Sequence, residues 1–111
     1  MPLTLMYITN RPEVADIAQR AGVDRIWIDM EYIGKEERQA GMNTVKSYHT
    51  IEDIRRLRPI VNSSELMVRI NPIHPESQQE IDATVNAGAD VIMLPMFKSS
   101  REVVQFLELV N

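Results

Sequence analysis

An α/β fold built on one parallel sheet is what this 111-residue sequence predicts, and three observations predict it. The first is order. Stretches of strand character alternate with stretches of helical period as βαβαβαβα, and such alternation implies parallel strands joined by right-handed crossovers. The second is the segment Arg25 to Glu31, which alternates with period two. Ile26, Ile28 and Met30 share one face; Arg25, Trp27, Asp29 and Glu31 share the other. One apolar face, with two carboxylates closing the opposite one, fits a strand covered by helices on one side and carrying chemistry at its carboxyl end. The third is an internal repeat. Ala21-Gly22-Val23-Asp24 and the six residues after it read against Ala87-Gly88-Ala89-Asp90 and the six after that, at an offset of 66 residues. Leu5-Met6 likewise resembles Leu66-Met67, Asn10 resembles Asn71, and Pro12-Glu13 resembles Pro75-Glu76. A repeat of this length covers two strand–helix units, so the chain reads as (βα)₂ duplicated to (βα)₄.

Each element follows from local pattern. Leu3 to Ile8 is a short apolar run and reads as the first strand. Asn10 and Glu13 have capping-box spacing, and Pro12 suits a first helical turn. Val14, Ile17, Ala18 and Ala21 then recur at helical spacing. Gly22 suits a helix C-terminus, because it reaches φ > 0 without a Cβ clash. Arg25 to Met30 is the second strand. Tyr32 to His49 has no clear period and is long for a connection in a compact α/β domain. Thr50 and Asp53 can open the second helix, with Ile51, Ile54, Leu57 and Val61 inward and Pro59 ending it. Glu65 to Asn71 is the third strand: Leu66, Val68 and Ile70 on one face, Met67, Arg69 and Asn71 on the other. The third helix runs from about Pro75 to Ala87 with Ile81 and Val85 inward. Asp90 to Met96 is the fourth strand. Ser99 and Glu102 form a second capping box, and Val103, Val104, Phe106, Leu107 and Val110 give the last helix a broad apolar stripe. Four units are too few to close an eight-unit barrel. A flavodoxin-like open sheet is the alternative, and there Trp27, Met67 and Met93 would need helices on their side too.

Composition narrows the class. Hydrophobic content of 44% and charged content of 25% are ordinary for one globular domain spanning residues 1–111. The net charge of −4 argues against nucleic acid as a partner. No cysteine is present, so neither a disulfide framework nor a thiolate site exists. No apolar run approaches the ~20 residues of a membrane span, and no signal peptide is seen, so a cytoplasmic location is expected.

Asp29 and Glu31 stand two apart on a strand and so share a face. Arg69 points to the same face of the next strand. An Arg beside two carboxylates at strand ends could hold a carboxylate or enolate; the plainer reading is a buried ion pair with no substrate. Lys35 and Arg38, three apart after Gly34, could bind an anion or simply be solvated. His49 and His74 lack a second ligand at metal spacing, so a structural or surface role is expected. Asn10, Thr50 and Ser99 read as caps rather than nucleophiles.

Three segments in order, IDMEYIGKEERQ, LMVRINP and AGADVIMLPM, resemble the HpcH/HpaI aldolase and citrate lyase β-subunit family over nearly the whole chain. Asp29 and Glu31 match its acidic D-x-E, Val68-Arg69-Ile70-Asn71 its arginine strand, and Gly88 to Pro95 its fourth strand. Lys35 and Arg38 are similar in spacing to a basic region of the citrate lyase branch. The resemblance implies the N-terminal half of a (βα)₈ barrel and a parent enzyme that makes or breaks carbon–carbon bonds beside an enolate. It implies small oxo- or hydroxy-acid substrates, magnesium or manganese as cofactor, and Arg69 stabilising the enolate oxygen with Glu31 beside it. Asp29, Lys35, Arg38 and Pro95 become substrate-binding candidates. Two departures stand out. Tyr32 replaces the histidine that follows this glutamate in the aldolase branch. The family's metal-binding Glu and Asp come from its fifth and sixth strands, which do not occur before Asn111. The chain alone is therefore expected to hold no metal and to be inactive; the alternative is a non-catalytic scaffold. A half-barrel also leaves its first and fourth strands as open edges and Met6, Ile8, Trp27, Met67, Val91 and Met93 uncovered. Self-association, or pairing with a C-terminal half, is expected.

Overall fold

The computed structural model describes residues 3–31 and 49–111. Its strands are β1 (Met6–Ile8), β2 (Arg25–Asp29), β3 (Glu65–Arg69) and β4 (Val91–Met93). They lie side by side in chain order, every neighbouring pair parallel. Between and after them come α1 (Pro12–Arg20), α2 (Ile51–Leu57), α3 (Ser77–Ala87) and α4 (Ser100–Val110). The strands are shorter than their period-two patterns. At the carboxyl ends, Met30 N–H still donates to Arg69 O at 2.9 Å and Ile70 N–H to Met93 O at 3.1 Å, so pairing continues past the regular ladder.

The core forms on one face of the sheet. Ile26 and Ile28 of β2 and Leu66 and Val68 of β3 are fully buried against Ala15, Ile54, Leu57, Val61 and Ile81 from the helical side. Burying each large aliphatic side chain contributes roughly 1.5–3 kcal/mol, which is what draws the helices onto this face. The opposite face, where the sequence left Met6, Ile8, Trp27, Met67, Val91 and Met93, is unevenly covered. Met6 and Ile8 are exposed, Trp27, Val91 and Met93 are half-buried, and Met67 is buried, contrary to the expectation that all six stay open.

The helices correct the sequence reading in four places. In α1 the buried side chains are Ala15, Ala18 and Gln19, while Ile17 is 67% exposed. Gln19 turns inward because its amide is fully used: Nε2 donates to Ile60 O, and Oε1 accepts from Asn62 N and Ser63 N. Asn10 does not cap α1. The cap position is Arg11, and Asn10 Nδ2 donates instead to Asp53 Oδ2 on α2. In α3 the buried partner of Ile81 is Thr84, whose hydroxyl donates to Glu80 O, and Val85 is half exposed. The other two caps form as expected, Thr50 N donating to Asp53 Oδ2 and Ser99 Oγ accepting from Glu102 N. In α4 none of the stripe is fully buried; Phe106 packs against the core together with Leu109, which the stripe omitted.

The internal repeat is a repeat of hydrogen bonds. Asp24 N donates to Leu5 O, and Leu5 N donates back to Asp24 Oδ2; Asp90 N and Leu66 do the same. Thr9 N donates to Trp27 O just as Ile70 N donates to Met93 O. The ladder Met6↔Arg25, Tyr7↔Ile26, Ile8↔Trp27 becomes Met67↔Val91, Val68↔Ile92, Arg69↔Met93. Strands one and three correspond at an offset of 61 residues, strands two and four at 66. Gly22 and Gly88 end the corresponding helices with φ of 99° and 118°. Asp90 is also gripped by Arg58, whose Nη1 donates to Asp90 Oδ2 and Gly88 O while Nη2 donates to Val61 O. Burial works against the charge on Asp90, but the Leu66 N–H and Arg58 outweigh it and hold the carboxyl below its usual range.

Candidate functional site

Parallel register decides which side chains meet at the carboxyl end of the sheet. Asp29 stands directly opposite Arg69. Both are the last residues of their strands, and both point away from the helix-covered face. Arg69 Nε donates to Asp29 Oδ1 at 3.0 Å and Nη2 donates to Asp29 Oδ2 at 2.6 Å, a two-pronged fork. Glu31 Oε2 lies 3.3 Å from the same Nε. The Asp29 and Glu31 side chains are only 4% and 1% exposed, while Arg69 keeps 24%. Two buried carboxylates thus share one partly open guanidinium.

Several contacts fix that guanidinium. Trp27, one step back on β2, places its ring 4.8 Å from the Arg69 guanidinium carbon, within cation–π range. Glu31 N donates to Asp29 Oδ1, tying the turn after β2 to the same carboxylate. His49 Nδ1 accepts the Asp29 backbone N–H at 2.9 Å. The hydrogen bond from Asp29 and the charges of Asp29 and Glu31 raise the Arg69 pKa above its ordinary value against the opposing effect of burial. Arg69 is a permanent cation across all working pH values.

Of the five N–H groups of the guanidinium, Asp29 takes two. Among the described residues the remaining three have no assigned acceptor. They are donors at the strand ends, held in a rigid plane, suited to a carboxylate or an enolate oxygen.

A second polar cluster lies beside this one, on the helix side of the same sheet end. Asn71 N and Nδ2 both donate to Glu80 Oε2, and His74 Nε2 lies 3.2 Å from Glu80 Oε1. Its residues line a cavity of about 400 Å³ that also includes Met30 and His49. Glu80 on α3 here pins the turn that follows β3.

The sequence therefore anticipates the grouping of Asp29, Glu31 and Arg69. Pro95 is buried past β4 at the same end of the sheet; continued register sets it level with Asn71, a step beyond Arg69. Lys35 and Arg38 lie outside the described residues, as does Tyr32. Trp27, His49 and the Asn71–His74–Glu80 cluster are additions. Trp27 was legible as a same-face neighbour of Asp29, but its reach to Arg69 follows only from the β2–β3 register.

A divalent ion does not fit what is described. Both carboxylates of the site face Arg69, and among the described residues no group of three or more His, Cys, Asp or Glu side chains converges as ligands. Among the described residues no helix is long and apolar enough to cross a membrane.

Comparison with known proteins agrees with the parallel α/β fold. The family model described as HpcH/HpaI aldolase/citrate lyase matches residues 3–111. No curated protein matches the sequence. The crystal structure of an HpcH/HpaI aldolase from Desulfitobacterium hafniense DCB-2 is similar in fold, with a TM-score of 0.72 at 17% identity. The similarity covers 97% of this chain and 38% of that one, so the chain spans well under half of the aldolase it matches.

Proposed function

Because the chain belongs to the HpcH/HpaI aldolase/citrate lyase family, we propose that it carries the enolate-binding part of a carbon–carbon lyase site for small oxo- or hydroxy-acids. The observation that carries this reading is Arg69. Its guanidinium is oriented by the Asp29 fork and the Trp27 ring, and its three remaining N–H groups stand at the carboxyl end of the sheet.

Cleaving the bond between the carbons α and β to a carbonyl moves its electron pair through the α carbon onto the carbonyl oxygen, which becomes an enolate oxygen, while the β-hydroxyl gives up its proton to a base and becomes the carbonyl of the second product. Donors already aimed at that oxygen stabilise the charge as it develops, and they need no reorganisation during reaction. Arg69 is the donor in this role. Asp29 positions it, and Glu31 adds a second buried negative charge that keeps the guanidinium in place. A substrate carboxylate can occupy the other edge of the same fork. Lys35, Arg38 and Pro95 are proposed as further substrate contacts, on the strength of the family resemblance.

The parent reaction is proposed to depend on magnesium or manganese. Since the described donors do not fit that ion, its ligands are assigned to strands beyond these four, and the chain alone is proposed to be inactive. Two measurements test the reading together. Calorimetry with oxalate, a planar mimic of the pyruvate enolate, should show weak binding that is lost in Arg69→Met. Oxaloacetate incubated with the chain and manganese should yield pyruvate no faster than manganese alone. Oxalate binding unchanged in Arg69→Met would remove Arg69 from the site. Turnover above the metal background would show that the chain completes a metal site by itself.

A further inference from the structure

The connection after β3 differs from its counterpart in the repeat. Three residues, 9–11, join β1 to α1, whereas seven, 70–76, join β3 to α3. The longer connection leaves directly from Arg69, whose counterpart at the offset of 61 residues is Ile8. Connections at the carboxyl ends of parallel strands are where α/β proteins build their sites, and a longer one needs more to hold it in place.

Glu80 holds it from α3. Its Oε2 accepts from Asn71 N at 3.2 Å and from Asn71 Nδ2 at 2.7 Å, and its Oε1 lies 3.2 Å from His74 Nε2. Glu76 N donates to His74 Nδ1, which leaves the proton of the neutral ring on Nε2, facing Glu80. His74 N donates in turn to Ser77 Oγ, and Ser77 N to His74 O. One carboxylate, its side chain 13% exposed, thus takes three donors from this single connection. Burying a carboxylate costs desolvation that its bonds only offset, so what charge-assisted bonds supply here is a fixed geometry. The other half of the repeat is held differently. Asn10, the counterpart of Asn71, sends its amide to Asp53 on α2 and not to the helix that follows it. The clamp therefore belongs to the half that carries the arginine.

Three successive residues at the end of β3 are tied to three different elements. Arg69 O accepts from Met30 N after β2, Ile70 N donates to Met93 O on β4, and Asn71 N donates to Glu80 on α3. We propose that Glu80 is a positioning residue of the Arg69 site. It acts on the guanidinium through Asn71. By taking both Asn71 donors it fixes how the chain leaves β3, two residues past Arg69, and so keeps the guanidinium in the plane set by the Asp29 fork. What the positioned group then binds rests on the enolate role proposed for Arg69; the positioning itself does not.

Exchange of the Arg69 Nε–H with solvent, followed by nitrogen-edited NMR of the chain, reads the positioning without a ligand. Glu80→Ala should raise that rate about tenfold, the effect of losing one charge-assisted hydrogen bond. Glu80→Gln should restore it to near the wild-type value. Its single amide oxygen can take both Asn71 donors, as Oε2 does, with only the His74 bond given up. A general loss of stability would not give this pattern: Gly88→Ala, at the other end of α3, should leave the rate unchanged. Asn71→Ala removes only the 2.7 Å bond and should raise the rate less, and it decides the matter where Glu80→Ala fails to fold. An unchanged rate in these variants overturns the proposal. So does a rate raised equally in Glu80→Gln, which would assign the effect to lost charge. Oxalate should also bind Glu80→Ala about tenfold more weakly than it binds the unaltered chain, and undiminished affinity overturns the proposal as well. Failure of the unaltered chain to bind oxalate would instead refute the enolate role of Arg69, and the exchange rates would still decide on Glu80.

Discussion

Replacing Arg69 with Met tests the site through stability, with no need for a substrate. Met keeps much of the length and apolar contact of the Arg stem but removes the cation. Asp29 and Glu31 would then lie 4% and 1% exposed with their shared partner gone. Breaking a buried pair by deleting one member costs about 3–5 kcal/mol. Arg69 itself keeps 24% exposure, so the lower end applies and the expected loss near pH 8 is about 3 kcal/mol. That is a large part of the roughly 5–15 kcal/mol available to a domain. Urea unfolding measures it, with equal slopes as the check on two-state behaviour. Arg69→Lys, which keeps the charge but loses the fork, should fall between wild type and Met. An Arg69→Met deficit below about 0.5 kcal/mol, the scatter expected of an indifferent surface substitution, would show that the pair does not hold the strand ends together. A deficit as large in Arg69→Lys as in Arg69→Met would assign the cost to the lost fork geometry instead of the lost charge.

Gly88→Ala should cost more than Gly22→Ala. Both glycines have left-handed φ, worth about 1–2 kcal/mol against Ala, but a Cβ on Gly88 would stand 2.4 Å from Arg58 Cδ whereas one on Gly22 meets nothing within 4 Å. Thermal unfolding of the two variants should therefore differ by at least about 1 kcal/mol, through the Arg58 hydrogen bonds that must shift. Asp90→Asn should be less stable than wild type at pH 7. Because the folded pKa of Asp90 is lowered, its contribution is present above the unfolded value and lost as pH falls through the folded one, so the gap should close below about pH 4. Trp27→Leu should loosen the guanidinium, since a cation–π contact contributes about 0.5–2 kcal/mol; faster exchange of the Arg69 Nε–H by NMR is the readout.

The parts of this molecule that could be read from the sequence are those set by local period. Ile26, Ile28, Leu66, Val68 and Ile70 alternate along their strands, and all are fully buried. Asp29, Glu31 and Arg69 were grouped because strand geometry sends alternate residues to one face. The repeat was visible in Ala21-Gly22-Val23-Asp24 because those positions are fixed by backbone demands: a left-handed glycine and an aspartate bonded to a neighbouring strand. What could not be read depends on partners distant in sequence. Gln19 is buried by the backbone at 60–63, and hydropathy favours Ile17 over it. Asn10 looks like a cap, but Asp53 on another helix takes its amide. Val85 corresponds to Gln19 in the repeat and looks as inward as Ile81, yet it is half exposed. The burial of Met67, against the expectation of an open face, likewise has no local signal.

The central claim is that the N–H groups of the Arg69 guanidinium not used by Asp29 receive the oxygen of a small oxo-acid enolate. Titrating oxalate into the chain while following the arginine Nε–H and Nη–H signals by nitrogen-edited NMR tests it most directly. The account predicts that the Arg69 signals shift first and saturate, that the emission of Trp27, the single tryptophan, changes with the same midpoint, and that both responses vanish in Arg69→Met. Saturable oxalate binding that leaves the Arg69 signals unmoved, or no response at all at tens of millimolar oxalate, would contradict it.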